Sequence, residues 1–145
     1  MKTNYKPYFI NIDTISDKRG ILKYLEEKKT NKIFKFKRIY FISNVPKSVG
    51  RGYHAHKKTV QCLLTLNGNF DFCFFGKKKR KNKIKLTDKS RPLIIPKMCW
   101  HWMENFSNDC IIGVIASSNY NEKDYIRDFD SYKELIKKNN DAQII

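Results

Sequence analysis

His54 and His56 stand two residues apart in Gly50-Arg51-Gly52-Tyr53-His54-Ala55-His56-Lys57-Lys58-Thr59-Val60-Gln61, and this spacing constrains the chain more than any other feature. In a strand, the period of two puts both imidazoles on one face and Ala55 on the other. The mostly apolar run Val60 to Leu66 follows and ends at Asn67-Gly68, a turn signal. The third histidine, His101, sits in Pro96-Lys97-Met98-Cys99-Trp100-His101-Trp102. Two facing imidazoles are costly to bury without partners or a purpose. The pattern points to a β-structured cavity with an imidazole cluster that His101 completes.

Short strand-like runs continue in both directions. Tyr8 to Asp13 reads as a strand, Asp17-Lys18-Arg19-Gly20 as a turn, and Ile21 to Glu26 as a second strand. Phe34 to Ile42 alternates apolar and basic residues, the period of a half-buried strand. Val60–Leu66, Asn69–Phe75 and Asn82–Leu86 are expected to form a meander. Arg91 to Pro96 is bracketed by prolines and suits a sheet edge, and Trp100–Asn105 and Cys110–Ser117 follow. Strands at this spacing argue for an all-β sandwich or barrel. Only the end is helical: Ser131-Tyr132-Lys133-Glu134 is a capping box opening a helix over about 131–138, with a frayed tail from Asp141 to Ile145. One domain, 1–145, accommodates all of it.

The formal charge of +16 raises a nucleic-acid reading. Much of the excess is lysine, asparagine is abundant as well, and the densest run, Lys77 to Lys83, follows Gly76 between two strands as a solvated hairpin tip. No nucleic-acid partner is expected. No apolar run nears the roughly 20 residues that span a bilayer, and Met1 to Pro7 lacks a signal-peptide core, so the cytoplasm is the expected location. Cys62, Cys73, Cys99 and Cys110 are spread through apolar sequence with no C-x-x-C pair, as buried reduced thiols are.

The order H-x-H, Gln61, Gly68, then Pro96 followed by His101 resembles the two motifs of the cupin (jelly-roll) β-barrel. In metal cupins, three histidines and a glutamate hold an ion after a Pro-x-Gly turn. Here Gln61 replaces the glutamate and Met98 replaces the glycine. A neutral amide is a poor ligand for a divalent cation, so no metal is expected and the imidazoles become free acids or bases. The resemblance goes further. Arg51 to Lys58, Lys37 to Tyr40, Trp100-His101, Ala116-Ser117 and Asp124-Tyr125-Ile126-Arg127 together are similar to the sugar 3,4-ketoisomerases, cupins that act on dTDP-4-keto-6-deoxyglucose. The likeness runs from Asp17 to the helix at Ser131.

That resemblance implies a dTDP-sugar substrate and a homodimer with N-terminal strands (8–13) exchanged. It also implies a step between a 4,6-dehydratase and an aminotransferase, toward a 3-amino-3,6-dideoxy sugar of surface polysaccharides. Moving a carbonyl from C4 to C3 requires removal of a C3 proton already acidified by the ketone, so no cofactor is needed. His54 is the leading candidate base, His56 its relay or orienting partner, and Tyr40 the phenol that serves a sugar oxygen. Which imidazole acts on carbon stays open. Arg51, with Arg38 behind it, suits the diphosphate, and Gln61 and His101 line the pocket. Lys58 can touch phosphate, and Trp102 can stack on thymine or sugar, though core packing of Trp100 and Trp102 is an equal reading. Tyr120, Tyr125 and Arg127 are candidates for the rim, with a salt-bridged surface position the favoured reading of Arg127. The competing functions are a 3,5-epimerase-like cupin and a non-catalytic or metal-binding module. An epimerase uses a histidine–aspartate pair, and no aspartate partner is evident near His54-Ala55-His56.

Overall fold

In the computed structural model, which describes residues 5–76 and 80–141, period-two apolar patterning becomes strands almost throughout. They are β1 (Tyr8–Phe9), β2 (Asp13–Asp17), β3 (Gly20–Tyr24), β4 (Arg38–Ser43), β5 (Arg51–His56) and β6 (Gln61–Asn67). The second half adds β7 (Asn69–Phe75), β8 (Lys81–Thr87), β9 (Leu93–Ile95), β10 (His101–Glu104), β11 (Ile111–Ala116) and β12 (Tyr125–Ile126). Helices α1 (Glu27–Thr30) and α2 (Phe129–Asp141) complete the described elements with a 3₁₀ turn at Glu122–Asp124. One five-stranded sheet runs β1-β9-β6-β11-β4, the other β12-β5-β10-β7-β8, and β2 pairs with β3 in a hairpin of its own. The paired strands are antiparallel, and the two larger sheets form an all-β, jelly-roll-like sandwich.

The core lies between those sheets. Phe70, Phe72 and Phe74 project from one face of β7 against Leu63, Ile112 and Val114 of the opposite sheet. Burying a side chain of this size contributes about 2 kcal/mol each. A second cluster lies on the outside of the β12-β5-β10-β7-β8 sheet. There Phe129, Tyr132, Leu135 and Ile136 of α2 cover Ala55, Trp100 and Trp102. Strand β10 and the C-terminal end of β5 are thus buried on both faces, and the alternation sorts Ala55, Trp100 and Trp102 outward and the three histidines inward. All four cysteines are buried and free.

Several boundaries differ from the sequence-based expectation. Val60–Leu66 and Asn69–Phe75 are not neighbours in a meander: β6 pairs with β9 and β11, and Asn67-Gly68 carries the chain from one sheet to the other. Only β7 and β8 form the expected hairpin, whose tip residues Lys77 to Lys79 lie outside the described residues, as does the tail beyond Asp141. The run Tyr8 to Asp13 divides between β1 and the start of β2. The helix begins earlier than its capping box: the Asp128 carboxylate accepts the Ser131 N–H at 2.7 Å, so Asp128 is the N-cap and Ser131 already sits in the first turn. The earlier start lets Phe129 and Tyr132 cover Trp100. No described helix is long and apolar enough to cross a membrane.

Candidate active site

The two sheets leave a cavity of about 560 Å³ between them. Arg38 and Tyr40 of β4 and Gln61 of β6 reach it from one sheet, and His54 of β5 and His101 of β10 from the other. Antiparallel pairing of β5 and β10 sets His54 opposite His101, with ring centroids 4.9 Å apart. His56 lies 5.0 Å from His54 on the same face, as the period of two requires. Tyr125 of β12 sits against both, 4.4 Å from His56 and 5.0 Å from His54.

Burial decides the charge of these rings, because desolvation penalises the imidazolium. It pushes the pKa of His54 down to about 4 and that of His101 to about 3. His101 Nδ1 is 3.0 Å from the Cys99 carbonyl, so it carries the proton and donates. His56 is also depressed by burial, but an aspartate opposes the effect. Asp124 Oδ2 lies 3.0 Å from His56 Nδ1, with the two side chains 10% and 3% exposed. The expectation that no aspartate serves this histidine pair is therefore corrected. The partner is 68 residues away in sequence, and the pairing of Tyr125 with His56 brings it in. Its carboxylate keeps the proton on Nδ1 and leaves Nε2 of His56 a lone pair. That Nε2 is buried without a hydrogen-bond partner among the described residues.

Tyr40 faces the imidazoles from β4. Gln61 Nε2 donates to its hydroxyl at 2.7 Å, and burial pushes the phenol up to about 12, so it is neutral and its own proton is free for the cavity. The amide at the position of a cupin metal glutamate is thus spent on a phenol. Arg38 stacks over Tyr40 at 5.2 Å and Tyr120 at 5.7 Å, and neither Arg38 nor Arg51 forms an ion pair among the described residues. Two unpaired guanidiniums on one cavity are a site for an anion. Arg127 reaches the same wall but is held by Glu122 at 2.6 Å and lies over the Tyr125 ring at 4.4 Å.

Of the nine residues given catalytic or substrate-binding roles from the sequence, seven converge here: Tyr40, Arg38, Arg51, His54, Gln61 and His101 on the cavity, and His56 against its wall; the rim candidates Tyr120, Tyr125 and Arg127 line the cavity too. Trp102 does not. It points to the opposite face of β10, stacks on Tyr53, meets the Phe75 ring at a tilt, and donates its indole N–H to Glu104 at 2.9 Å. Lys58 does not line the cavity either; its backbone N–H, at 2.8 Å from Asp124 Oδ1, is the part that serves the site. Asp124 was missed as a functional residue. Its place in the Asp124-Tyr125-Ile126-Arg127 match was the one signal in the sequence.

A family model described as FdtA, WxcM-like, C-terminal matches residues 4–137. The chain belongs to this family. It is 40% identical over 131 residues to the TDP-4-oxo-6-deoxy-alpha-D-glucose-3,4-oxoisomerase of Aneurinibacillus thermoaerophilus, a match covering 90% of this chain and 93% of that one. Among solved structures it superposes on the sugar 3,4-ketoisomerase QdtA of Thermoanaerobacterium thermosaccharolyticum, determined with TDP. There the TM-score is 0.85 and the identity 38%, over 93% of this chain and 97% of that one. A 3,4-ketoisomerase from Helicobacter canadensis matches with a TM-score of 0.82 and 34% identity, over 90% and 97% of the two chains. The chain is an enzyme of the ketoisomerase class with their cupin-like fold.

Proposed function

We propose that this protein converts dTDP-4-keto-6-deoxyglucose into a dTDP-3-keto-6-deoxyhexose through an enediol. The observation that carries the reading is a cavity lined by the neutral imidazoles of His54 and His101 and by two unpaired arginines, with the His56–Asp124 pair packed against His54. The 40% identical relative, named for this substrate, supports the choice. His54 is assigned as the carbon base, because its ring lines the cavity, whereas His56 is not part of the lining and its Nε2 is fully buried. The His56–Asp124 pair, 5.0 Å from His54, serves as its orienting and proton-relay partner.

The balance is internal. His54 takes the C3 proton, and the electron pair forms the C3–C4 double bond while charge moves to O4. The O3 proton then leaves, O4 gains one, and the imidazolium returns its proton to C4, so no redox partner is consumed. Tyr40, on the facing sheet, carries the oxygen protons, and Arg51 and Arg38 take the diphosphate. Such a product is poised for an aminotransferase, and a 4,6-dehydratase supplies such a substrate. The His–Asp pair removes one argument against a 3,5-epimerase. What favours isomerisation is identity with ketoisomerases and the Gln61-primed phenol.

The test is proton NMR of the purified protein with dTDP-4-keto-6-deoxyglucose in heavy water. Wild type is expected to give the 3-keto sugar with deuterium at C4, His54→Asn no deuterium at either carbon, and His56→Asn slow turnover with some C3 exchange retained. Deuterium at C5 without ketone migration, or no reaction, would overturn the assignment. Assembly belongs to the same proposal. The outward face of β4 exposes Ile39 and Phe41 (51% and 61%), and the β2–β3 hairpin exposes Ile21 and Leu22 (68% and 58%). Edges of this kind are covered in stable proteins, and a second copy of the chain is the assigned cover. Light scattering should give twice the 17.3 kDa chain mass; a monomer at micromolar concentration would rule this out.

A further inference from the structure

Tyr125 takes no part in the chemistry above, although its ring lines the cavity and packs against both histidines of β5. The two-residue strand β12 puts it there. Tyr125 pairs directly with His56, so its side chain shares the inward face of β5 with His54 and His56. Packing accounts for the ring: it fills the space beside the two imidazoles, and Arg127 covers it at 4.4 Å. Packing does not account for the hydroxyl. Tyr120 gives its hydroxyl proton to Glu122 at 2.6 Å, Tyr132 gives its own to the Met98 carbonyl at 3.1 Å, and the Tyr40 oxygen accepts from Gln61. Tyr125 alone of these four makes no hydrogen bond through its oxygen among the described residues, and that oxygen is not one of their sealed, unpaired polar atoms. A part-buried phenol ordinarily finds a partner, and the open side here is the cavity. Burial first, and then the charge that Tyr125 would carry, push the Tyr40 phenol up, so the two hydroxyls act on each other across that space.

The reaction leaves a gap that such a donor fills. Tyr40 gives its proton to O4 as charge develops there, and recovers one from O3. Between those two events the phenol is an anion, and the burial that pushes it up to about 12 makes that anion costly. Once the O3 proton has gone, the enediolate charge lies on O3. This second half of the reaction calls for a donor on the histidine wall, opposite Tyr40. We propose that Tyr125 is a second catalytic phenol: its O–H donates a hydrogen bond to the O3 side of the enediol while charge passes from O4 to O3. The proton stays on Tyr125 throughout, so the proton balance of the reaction is unchanged. The role rests on the ketoisomerase reading with His54 as the base.

The experiment follows C3 exchange and ketone migration separately, by proton NMR in heavy water with dTDP-4-keto-6-deoxyglucose, in wild type, Tyr125→Phe and Tyr40→Phe. Tyr125→Phe keeps the ring and removes one oxygen that has no protein partner, so its melting midpoint should equal that of wild type. Ketone migration should fall about thirtyfold with KM unchanged, the effect of losing one hydrogen bond to a charged oxygen. His54 and Tyr40 still complete the first half, so the ratio of C3 exchange to migration should rise about tenfold over wild type. Tyr40→Phe should lose exchange and migration together. Equal falls of the two in Tyr125→Phe, or a wild-type rate, would overturn the proposal. So would a lowered melting midpoint or a failure to fold, because the hydroxyl would then be structural. Wild type with neither exchange nor migration would sink the substrate reading and this role with it. An active wild type matched by Tyr125→Phe would sink this role alone.

Discussion

Asp124→Asn is expected to lower kcat by on the order of a thousandfold, with KM nearly unchanged. The reason is tautomeric. Asp124 accepts the Nδ1 proton of His56, which leaves Nε2 as a lone pair beside the His54 ring, able to receive a proton in relay. An asparagine that presents its NH₂ to Nδ1 inverts this, putting the proton on Nε2 and removing the relay acceptor without moving the ring. Oδ2 is surrounded by His56 Nδ1, the Thr59 hydroxyl and the Thr59 N–H, and Oδ1 meets the exposed Lys58 N–H. An NH₂ at the Oδ2 position leaves the part-buried Thr59 N–H unpaired, at a cost of about 1–3 kcal/mol in stability, and an NH₂ at the Oδ1 position turns the Lys58 N–H to water at smaller cost. The variant should therefore fold with a lowered melting midpoint, bind nucleotide, and exchange the C3 proton into heavy water only slowly. Near-normal exchange would show that His54 works without the His56–Asp124 relay.

What the sequence revealed of this site follows from the range over which its rules act. Period two is a rule within one strand, and it placed His54, His56 and Ala55 on their correct faces. Its parity also set Trp100 and Trp102 together, but parity does not say what covers a face. Strand β10 is buried on both sides, by the facing sheet and by α2, so Trp102 as pocket wall and Trp102 as core were equally consistent with it until the helix was in place. Asn67-Gly68 was correctly a turn. Turn chemistry fixes the local backbone, with Gly68 at φ +69°, and leaves open whether the next strand pairs with the last one or crosses to another sheet. Asp124 lay outside every local rule. It reaches His56 only because a two-residue strand, Tyr125–Ile126, docks on the β5 edge, and no spacing within either segment encodes that meeting. The capping box was a true signal outcompeted by a neighbour: Asp128 caps equally well, and starting there brings Phe129 and Tyr132 onto Trp100.

Gly52→Ala should be the most damaging single methyl added to the cavity wall, with a stability loss of about 2–4 kcal/mol. Gly52 sits at φ +101°, where a side chain is strained whatever the space around it. The space is also missing. A Cβ there would stand 2.9 Å from Trp102 Cα and 3.0 Å from the His101 carbonyl oxygen, both backbone atoms of the paired strand. Flexible side chains yield to such a contact, but a paired backbone yields only if β5 and β10 part. They part at the register that sets His54 opposite His101, so activity should fall with stability. Gly20→Ala separates the two causes. Gly20 has φ +116° and nothing within 4 Å of its would-be Cβ, so it carries the strain without the collision, about 1 kcal/mol. For a chain of this length each kcal/mol lowers the melting midpoint by roughly 2–4 °C, so the two variants should be resolved in one thermal scan. If they melt together, the close approach of β5 and β10 does not depend on the missing methyl. If Gly52→Ala melts far lower and loses turnover while Gly20→Ala keeps it, the glycine of the Arg51-Gly52-Tyr53-His54 segment is there so that two strands can bring their imidazoles within 5 Å of each other.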